Sequence, residues 1–278
     1  MTRRRLVSGA HARMGRHGTM DDRDAVALDD PVGESLRGHH AHLARRLGRA
    51  AGYLPEVATF STVAATTVSA TPVSATTVSA TPVSASTVSA DPCPAGWADL
   101  ARLLGRGELA DLFSCPATPP ADWEPVFTLD GFQMIWPAGA RPGRAEAESG
   151  ARIDELGAGD VPEMLDLTAR TRPGPFWPRT HELGTYLGVR ENGALVAMAG
   201  ERLRPPGWTE ISAVCAAPEA RGRGHASRLV RALVTRITAR GERPFLHVAE
   251  ANVNAIALYE RLGFVVRRRV RFRGFRTP

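Results

Sequence analysis

The sequence has 278 residues, of which 43% are hydrophobic and 23% charged, and its 35 basic residues are all arginine. This composition is typical of a soluble globular protein, and no stretch approaches the roughly 20 apolar residues that a membrane-spanning helix needs. The formal net charge of +6 is compatible with a nucleic acid, a membrane surface or a phosphorylated ligand and does not choose among them.

The three cysteines, Cys93, Cys115 and Cys215, form an odd and sparse set. Such a set argues against a disulfide framework and favours a reducing cytoplasm. The N-terminus is basic but lacks the apolar core of a secretory signal. We therefore predict a cytoplasmic protein with no membrane partner, and we interpret residues 1–23 as a disordered basic extension.

Residues 24–150 are predicted to form an N-terminal helper domain of α/β type. Near its start, SLRGHHAHLARRLGRAAGYL (35–54) places Ala41, Leu43, Ala44 and Leu47 at roughly helical spacing, which predicts a helix. The three close histidines of GHHAH (38–42) would need further ligands to hold a metal. No Cys/His cluster of suitable spacing accompanies them, so we predict no metal site.

A repeat interrupts this region at 61–90, where a five-residue unit such as TTVSA or TPVSA occurs six times. A period of five fits neither a helix nor a strand, and the segment has no charge and no large apolar side chain. We predict a disordered, low-complexity insert. After it, GWADLARLLGRGELADLF (96–113) predicts a helix, a turn and a strand, ADWEPVFTLDGFQMIWP (121–137) a strand pair, and AGARPGRAEAESG (138–150) a linker.

Residues 151–278 alternate between helical and strand patterns. A helix is predicted after Asp160, a hairpin at Asn192-Gly193, and a strand over WTEISAVCA (208–216). A helix follows over GHASRLVRALVTRITARG (224–241), then a buried strand over RPFLHV (243–248), a helix over NVNAIALYERLGF (252–264), and final strands over FVVRRRVRFRGF (264–275).

The loop PEARGRGHAS (218–227) joins a strand to a helix and contains two glycines among its cations. Backbone N–H groups at the start of a helix lack internal partners, and glycines let an anion approach them, so the loop is predicted to bind phosphate. A Walker loop requires a lysine, which is absent. A dinucleotide loop would have an acid at the end of the next strand, whereas Glu242 precedes that strand. An ordinary arginine-rich turn is the remaining alternative.

Two linked motifs decide between these readings. Arg221-x-x-Gly224-x-Ala226 matches the Q/R-x-x-G-x-G/A signature of the GNAT superfamily of N-acetyltransferases, and FLHVAEANVNAIALYERLGF (245–264) resembles that superfamily's second conserved segment. The resemblance covers roughly 151–278. It implies an α+β acyl-CoA-binding fold, in which helices flank a mixed, mostly antiparallel sheet, with the helper domain appended at the N-terminus.

The resemblance also implies roles for particular residues. Backbone groups of a splayed strand would bind the pantetheine arm of acetyl-CoA, the glycine-rich loop would bind its pyrophosphate, and an asparagine would contact the arm beside the acyl group. The implied cofactor-binding residues are Val214, Cys215, Ala216, Arg221, Gly222, Arg223, Gly224, His225, Ala226, Ser227 and Asn252. Tyr259 matches the tyrosine that protonates the departing thiolate. A nucleophilic role for Cys215 is disfavoured, because family members use that strand mainly through its backbone.

The general base has two candidates. Glu210 precedes Arg221 by eleven residues, the offset of the glutamate base in the histone-acetylating branch, and strand alternation predicts that Glu210, Ser212 and Val214 share a face. The alternative for Glu210 is a solvated strand charge. His247 lies where some protein-acetylating relatives have a catalytic glutamate, and a histidine there can act near neutral pH or be a hydrogen-bonded core residue.

We therefore predict an N-acetyltransferase. It would move an acetyl group from acetyl-CoA to a primary amine of a small-molecule or peptide acceptor by direct attack in a ternary complex, without a metal. An acyl-CoA-binding pseudoenzyme or sensor is the alternative, and an arginine-rich nucleic-acid-binding protein is the less favoured one. The pattern indicates neither the acceptor nor the oligomeric state.

Overall fold

The computed structural model describes residues 26–64, 94–113, 115, 117–140 and 152–278. The predictions for the basic extension, for the repeat beyond residue 64 and for most of the linker at 138–150 lie outside the described residues. None of the helices in the described part of the chain combines the length and hydropathy that crossing a bilayer requires.

Most described strands belong to one sheet. The strands in chain order are β1 (Ala44–Leu47), β2 (Ala50–Tyr53), β3 (Ser61–Val63), β4 (Leu109–Phe113), β5 (Glu124–Ile135), β6 (Ile153–Leu156), β7 (Tyr186–Glu191), β8 (Ala194–Glu201), β9 (Trp208–Ala216), β10 (Arg243–Ala249) and β11 (Val265–Arg276). Eight of them form the order β4-β11-β5-β10-β9-β8-β7-β6, in which only β9 and β10 are parallel. Strands β1 to β3 form a separate antiparallel sheet. The predicted α+β fold with a mixed, mostly antiparallel sheet is confirmed.

Helices cover this sheet through apolar faces. The α-helices are α1 (Pro31–Arg37), α2 (Pro94–Leu104), α3 (Val161–Thr171), α4 (His225–Ala239) and α5 (Val253–Leu262). The predicted stripe of α4 is buried, namely Leu229, Val230, Leu233, Val234 and Ile237. Burial of each such side chain contributes roughly 1.5–3 kcal/mol, so this face holds α4 on the sheet. The helix places its N-terminus beside the end of β9.

Local turn chemistry also acts as predicted in this half. Asn192 and Gly193 have φ values of 51° and 85° at the β7–β8 turn, the left-handed pair that a tight hairpin needs. Gly263 ends α5 with φ of 109°. These short-range signals explain why the element order of residues 152–278 could be predicted closely.

The strand pair predicted over 121–137 is wrong, because β5 runs unbroken through Asp130 and Gly131. A Cβ on Gly131 would lie 2.5 Å from the Phe272 ring and 2.6 Å from the Val248 carbonyl oxygen. The glycine therefore serves close strand packing and not a turn. Strand β5 lies between β10 and β11, so the predicted helper region contributes to the same sheet as the C-terminal region.

The helix predicted over 35–54 is wrong as well. Helix α1 ends at Arg37, a 3₁₀ turn follows, and β1 and β2 form a hairpin about Gly48, whose φ is 54°. All four residues of β2 are buried. A helix would bury one stripe of this segment, whereas pairing of β2 with β1 and β3 buries all of its residues, so tertiary context outweighs the spacing.

The first repeat residues differ from the predicted insert. Ser61–Val63 form β3, which pairs with β2, and all three are buried. The edge of β2 supplies hydrogen-bond partners for these residues. The repeat pattern by itself contains no sign of that pairing. The insert predicted at 61–90 therefore does not begin at residue 61.

Candidate active site

A cavity opens where β9 and β10 separate. The two strands pair only from Arg243↔Trp208 to Phe245↔Glu210. Beyond that point they line opposite walls of a cavity of about 830 Å³, β9 through 211–216 and β10 through 247–249. The backbone edge of β9 that faces β10 is therefore unpaired by β10 along this stretch, which is the splayed arrangement that the sequence resemblance implied.

A bulge changes the direction of side chains along β9. Ala213 has a φ of 52°, and the pairing moves from Gly200↔Ser212 to Met198↔Cys215, so β9 has one extra residue there. The predicted common face of Glu210, Ser212 and Val214 is wrong at Val214, because a bulge reverses the alternation. It adds twist to β9 at the point where the cavity begins.

The glycine-rich loop lies at one end of the cavity. Gly222 and Gly224 have φ values of 77° and 76°, and a Cβ on either would meet nothing within 4 Å. Gly224 caps α4, and the first bond into the helix is Arg228 N–H to Gly224 O, at 3.1 Å. Within the described residues, the backbone N–H groups from Gly222 to Ser227 have no carbonyl acceptor. This open row of donors at a helix N-terminus fits a phosphate group.

Nearly all predicted cofactor-binding residues meet at the cavity. Those that line it are Val214, Cys215, Ala216, Arg221, Gly222, Gly224, His225, Ala226, Ser227 and Asn252. Arg223 is not among them. It pairs with Glu191 at 2.5 Å, and His225 Nε2 lies 3.0 Å from the same carboxylate. The charge expected from Arg223 is thus largely balanced by Glu191, which we did not predict.

Glu210 is buried behind the cavity wall. Arg202 donates to it from Nε at 2.8 Å and from Nη2 at 2.7 Å, and the Leu203 N–H donates at 3.3 Å. Burial alone would raise the pKa of Glu210, but the charges and hydrogen bonds of Arg202 and His247 together outweigh burial and hold that pKa well below its ordinary value. The alternative of a solvated strand charge is wrong, because Glu210 is 0% exposed. Glu210 does not line the cavity.

His247 lines the cavity with both ring nitrogens engaged. Its Nδ1 lies 2.7 Å from Glu210 Oε1, and its Nε2 lies 3.2 Å from Gln133 Nε2. Gln133 Oε1 accepts from Arg267, so the amide nitrogen of Gln133 faces His247. His247 therefore accepts at Nε2 and donates at Nδ1. Burial lowers the pKa of His247 in spite of Glu210, which favours this neutral form.

Tyr259 lies on the cavity wall as a protonated phenol. Its side chain is buried, and burial raises the pKa of Tyr259, with a smaller contribution from Cys215. Burial also raises the pKa of Cys215, which disfavours a thiolate nucleophile. Asn252 is exposed and caps α5, because its Oδ1 accepts from Ala255 N–H at 3.2 Å.

The end of the cavity away from the loop contains residues that sequence reasoning missed. Asp111 on β4 is 5% exposed, and its Oδ2 accepts from Thr59 Oγ1 at 3.0 Å. Burial raises the pKa of Asp111 to about 6, against the opposing effects of Thr59 and the charge of Arg202. The surrounding lining residues are Phe60, Phe113, Phe127, Leu129 and Phe272. The available signal was an acid in the middle of the apolar strand LADLF (109–113).

In the described ranges, no set of three His, Cys, Asp or Glu side chains is placed to hold a metal ion. His40 of the GHHAH cluster is buried, with Nδ1 2.8 Å from Tyr53 Oη and Nε2 3.0 Å from Leu183 O. It is a hydrogen-bonded core histidine.

Comparison with known proteins places this chain in a family. The family model described as FR47-like protein matches residues 186–273. A protein from Novosphingobium aromaticivorans DSM 12444 that is assigned to the GNAT family of acetyltransferases is 34% identical. The match covers 91% of this chain and 99% of that one, with a TM-score of 0.73. This chain belongs to the GNAT family.

A second solved structure is similar to this GNAT protein in fold only. A GCN5-related N-acetyltransferase from Kribbella flavida matches 94% of this chain and 97% of its own, with 16% identity and a TM-score of 0.53. No curated protein matches the chain. The GNAT resemblance predicted from 221–226 and 245–264 is confirmed. Membership of the family supports acyl transfer from an acyl-CoA, with acetyl-CoA as the co-substrate that GNAT proteins use.

Proposed function

We propose that this protein transfers an acetyl group from acetyl-CoA to a primary amine of a small-molecule or peptide acceptor, by direct attack in a ternary complex. The observation that carries the proposal is the single cavity that connects the glycine-rich loop, Tyr259 and the aromatic end around Asp111. A donor bound at one end and an acceptor at the other would meet beside β9. Holding both reactants in one cavity supplies much of the catalytic advantage.

The donor end has the groups that CoA requires. We propose that the N–H groups from Gly222 to Ser227 bind the pyrophosphate and that the open edge of Val214 to Ala216 binds the pantetheine arm. Arg221 adds positive charge at the mouth, and Asn252 contacts the arm from the start of α5. The residues present fit this co-substrate, because the N–H groups from Gly222 to Ser227 have no carbonyl acceptor among the described residues and both loop glycines leave open space.

Tyr259 is the proposed general acid. The amine loses a proton, its nitrogen attacks the thioester carbonyl, and the C–S bond breaks. The Tyr259 hydroxyl then protonates the departing sulfur, the new amide nitrogen gives up its second proton, and Tyr259 is reprotonated. A phenol kept neutral by burial is matched to a thiolate, whose ordinary thiol pKa is about 8.5 and rises in a dry site.

The candidate bases take supporting roles in this proposal. Glu210 is already bound by Arg202, and it fixes His247 in the tautomer whose proton is on Nδ1. We propose that Glu210 and His247 act as positioning residues that shape the cavity wall. The helper region at 24–150 would supply the acceptor end through Phe60, Asp111 and Phe113, and the region at 151–278 the donor end. The cytoplasmic location stays a prediction.

Two measurements test the proposal. Calorimetry should show acetyl-CoA binding to the full-length protein, and a thiol-release assay over a panel of amines should show CoA formation. If acetyl-CoA does not bind, the proposal is wrong. If acetyl-CoA binds and no amine releases CoA, the protein is an acyl-CoA sensor. This second candidate function is favoured by the hydrogen bonds that already engage both predicted bases, Glu210 and His247.

The arginine-rich strand β11 gives little support to nucleic-acid binding. Five of its arginines pair with carboxylates, namely Arg267 and Arg268 with Asp29, Arg269 with Glu250, Arg271 with Asp130, and Arg276 with Glu124. A phosphate backbone would have to displace these partners. Strongly salt-dependent DNA binding by the full-length protein would revive this alternative.

A further inference from the structure

The aromatic end of the cavity is built on two rows of residues across three neighbouring strands. Pairing of β4, β11 and β5 places Phe113, Phe272 and Leu129 in one row, and Asp111, Gly274 and Phe127 in the next. Paired residues share a face of the sheet. The rows therefore present a carboxylate beside aromatic rings on the face that lines the cavity.

Gly274 brings Phe127 close to Asp111. A Cβ on Gly274 would lie 2.2 Å from Phe127 Cε1, so the Phe127 ring occupies the space over this glycine. Phe127 is nevertheless 39% exposed, and Leu129 in the neighbouring row is 45% exposed. Two large apolar side chains thus form an accessible rim above a buried carboxylate.

One oxygen of Asp111 has no hydrogen-bond partner among the described residues. Thr59 donates to Oδ2, while Oδ1 is buried and has no hydrogen-bond partner among the described residues. Arg202 does not donate a hydrogen bond to Asp111 Oδ1. Its Nε and Nη2 donate to Glu210, and its guanidinium lies 4.6 Å from the Phe113 ring centroid. A buried carboxylate oxygen without a donor is costly and rare, and such groups mark ligand sites.

The charges of the cavity restrict what this oxygen can bind. Asp111 is the sole acid among the described residues that line the cavity, whereas the lining arginines are Arg172, Arg202, Arg221 and Arg261. One ammonium group can be matched there. A polyamine would leave further charges facing arginines and rings, and a second carboxylate on the ligand would lie close to Asp111.

We propose that Asp111 binds the ammonium group of the acceptor, and that the acceptor is a monoamine with an apolar, preferably aromatic, body. The ammonium would donate to Oδ1 and contact the faces of the surrounding rings, and the body would pack on Phe127, Leu129 and Phe272. This inference rests on the proposed function, since it assigns the acceptor class of the same cavity.

The test compares a cation with its neutral counterpart of similar shape. Calorimetry on the full-length protein, alone and with saturating CoA, would measure binding of 2-phenylethylamine, 2-phenylethanol and spermidine. A charge-assisted hydrogen bond of about 1.5–3 kcal/mol predicts that the wild type prefers 2-phenylethylamine to the alcohol by about 10- to 100-fold. We also expect spermidine to bind more weakly than 2-phenylethylamine.

Asp111→Asn should reduce the preference for the amine to about twofold or less, because an amide cannot match the ammonium charge. The amide oxygen can still accept from Thr59, so the local structure is retained. Asp166→Asn, at an exposed acid of α3, is the matched control and should keep the full preference. Acetyl-CoA affinity should be unchanged in both variants.

An Asp111→Asn protein that keeps the preference overturns the inference, as does a wild type that binds the amine and the alcohol equally. If Asp111→Asn does not fold, Phe127→Ala at the exposed rim tests the inference instead. This substitution should weaken the binding of 2-phenylethylamine and leave the binding of methylamine unaffected. Equal effects on the two affinities would overturn the assignment of an aromatic body to the acceptor. Failure of the proposed function would appear separately, as absent acetyl-CoA binding or absent thiol release, while the amine preference is measured without turnover.

Discussion

Replacing Asp111 by asparagine should make the protein more stable at neutral and alkaline pH. Asp111 is 5% exposed, and one of its oxygens has no donor among the described residues. Above its pKa the wild-type protein must therefore keep a poorly compensated charge inside the fold. Asparagine occupies nearly the same volume, accepts the bond from Thr59, and has no charge to bury.

The size of the gain follows from the pKa of Asp111. Burial raises that pKa to about 6 from an ordinary value of 3.8. At about 1.4 kcal/mol per pKa unit, the difference corresponds to about 3 kcal/mol. Because the folded state holds the proton more tightly than the unfolded state, stability falls as the pH rises from about 4 to about 6, and the full cost is present above that range. The variant avoids this cost.

Urea unfolding followed by tryptophan fluorescence, at pH 8 and at pH 4.5, measures the effect. We expect Asp111→Asn to exceed the wild type by up to about 3 kcal/mol at pH 8 and by much less at pH 4.5, with Asp166→Asn near the wild type at both. A variant less stable than the wild type at pH 8, or a gain independent of pH, would refute the reasoning. The first result would show that the ionised carboxylate is well compensated in the fold.

Three further predictions concern the glycine-rich loop, Tyr259 and the buried pair of Arg202 and Glu210. Gly224→Val should weaken acetyl-CoA binding by tenfold or more in calorimetry, because a β-branched residue is strained at a φ of 76° and its side chain would occupy the open space proposed for the phosphate. Gly207→Val, with the same φ outside the cavity, should leave affinity unchanged, and equal losses in both would contradict a phosphate-binding loop. Tyr259→Phe should lower kcat by about 10²- to 10⁴-fold with acetyl-CoA affinity unchanged, and an unaltered kcat would exclude a general acid. Glu210→Gln should cost about 3–5 kcal/mol in urea unfolding, because it leaves the buried guanidinium of Arg202 unpaired. The double variant Arg202→Leu/Glu210→Leu should recover much of the lost free energy of unfolding. A loss below about 1 kcal/mol for Glu210→Gln alone would contradict a stabilising pair.

Sequence patterns predicted the elements of residues 152–278 because the responsible signals act over short distances. The apolar stripe of α4 needs only helical spacing, and the Asn192-Gly193 hairpin needs only two residues that accept a left-handed backbone. The glycine-rich loop is similar, since Gly222 and Gly224 have the positive φ values that their residue type suggests. These features are encoded within a few residues of where they act.

The N-terminal errors have the opposite origin. The segment at 35–54 has helical spacing, yet β2 is held by β1 on one side and by β3 on the other. Gly131 resembles a turn residue, yet its role is to let β5 lie close to Phe272. Both outcomes depend on partners distant in the sequence, which a local pattern does not contain.

The sequence by itself therefore determined the family and the place of the glycine-rich loop, because both are written in contiguous motifs at 218–227 and 245–264. Tertiary structure alone decided the state of the charged groups. Glu210 is bound by Arg202 and His247, whereas Asp111 is buried with one oxygen that has no hydrogen-bond partner among the described residues. Two carboxylates of similar intrinsic acidity acquire opposite pKa shifts, because burial and neighbouring charges arise only when distant strands meet.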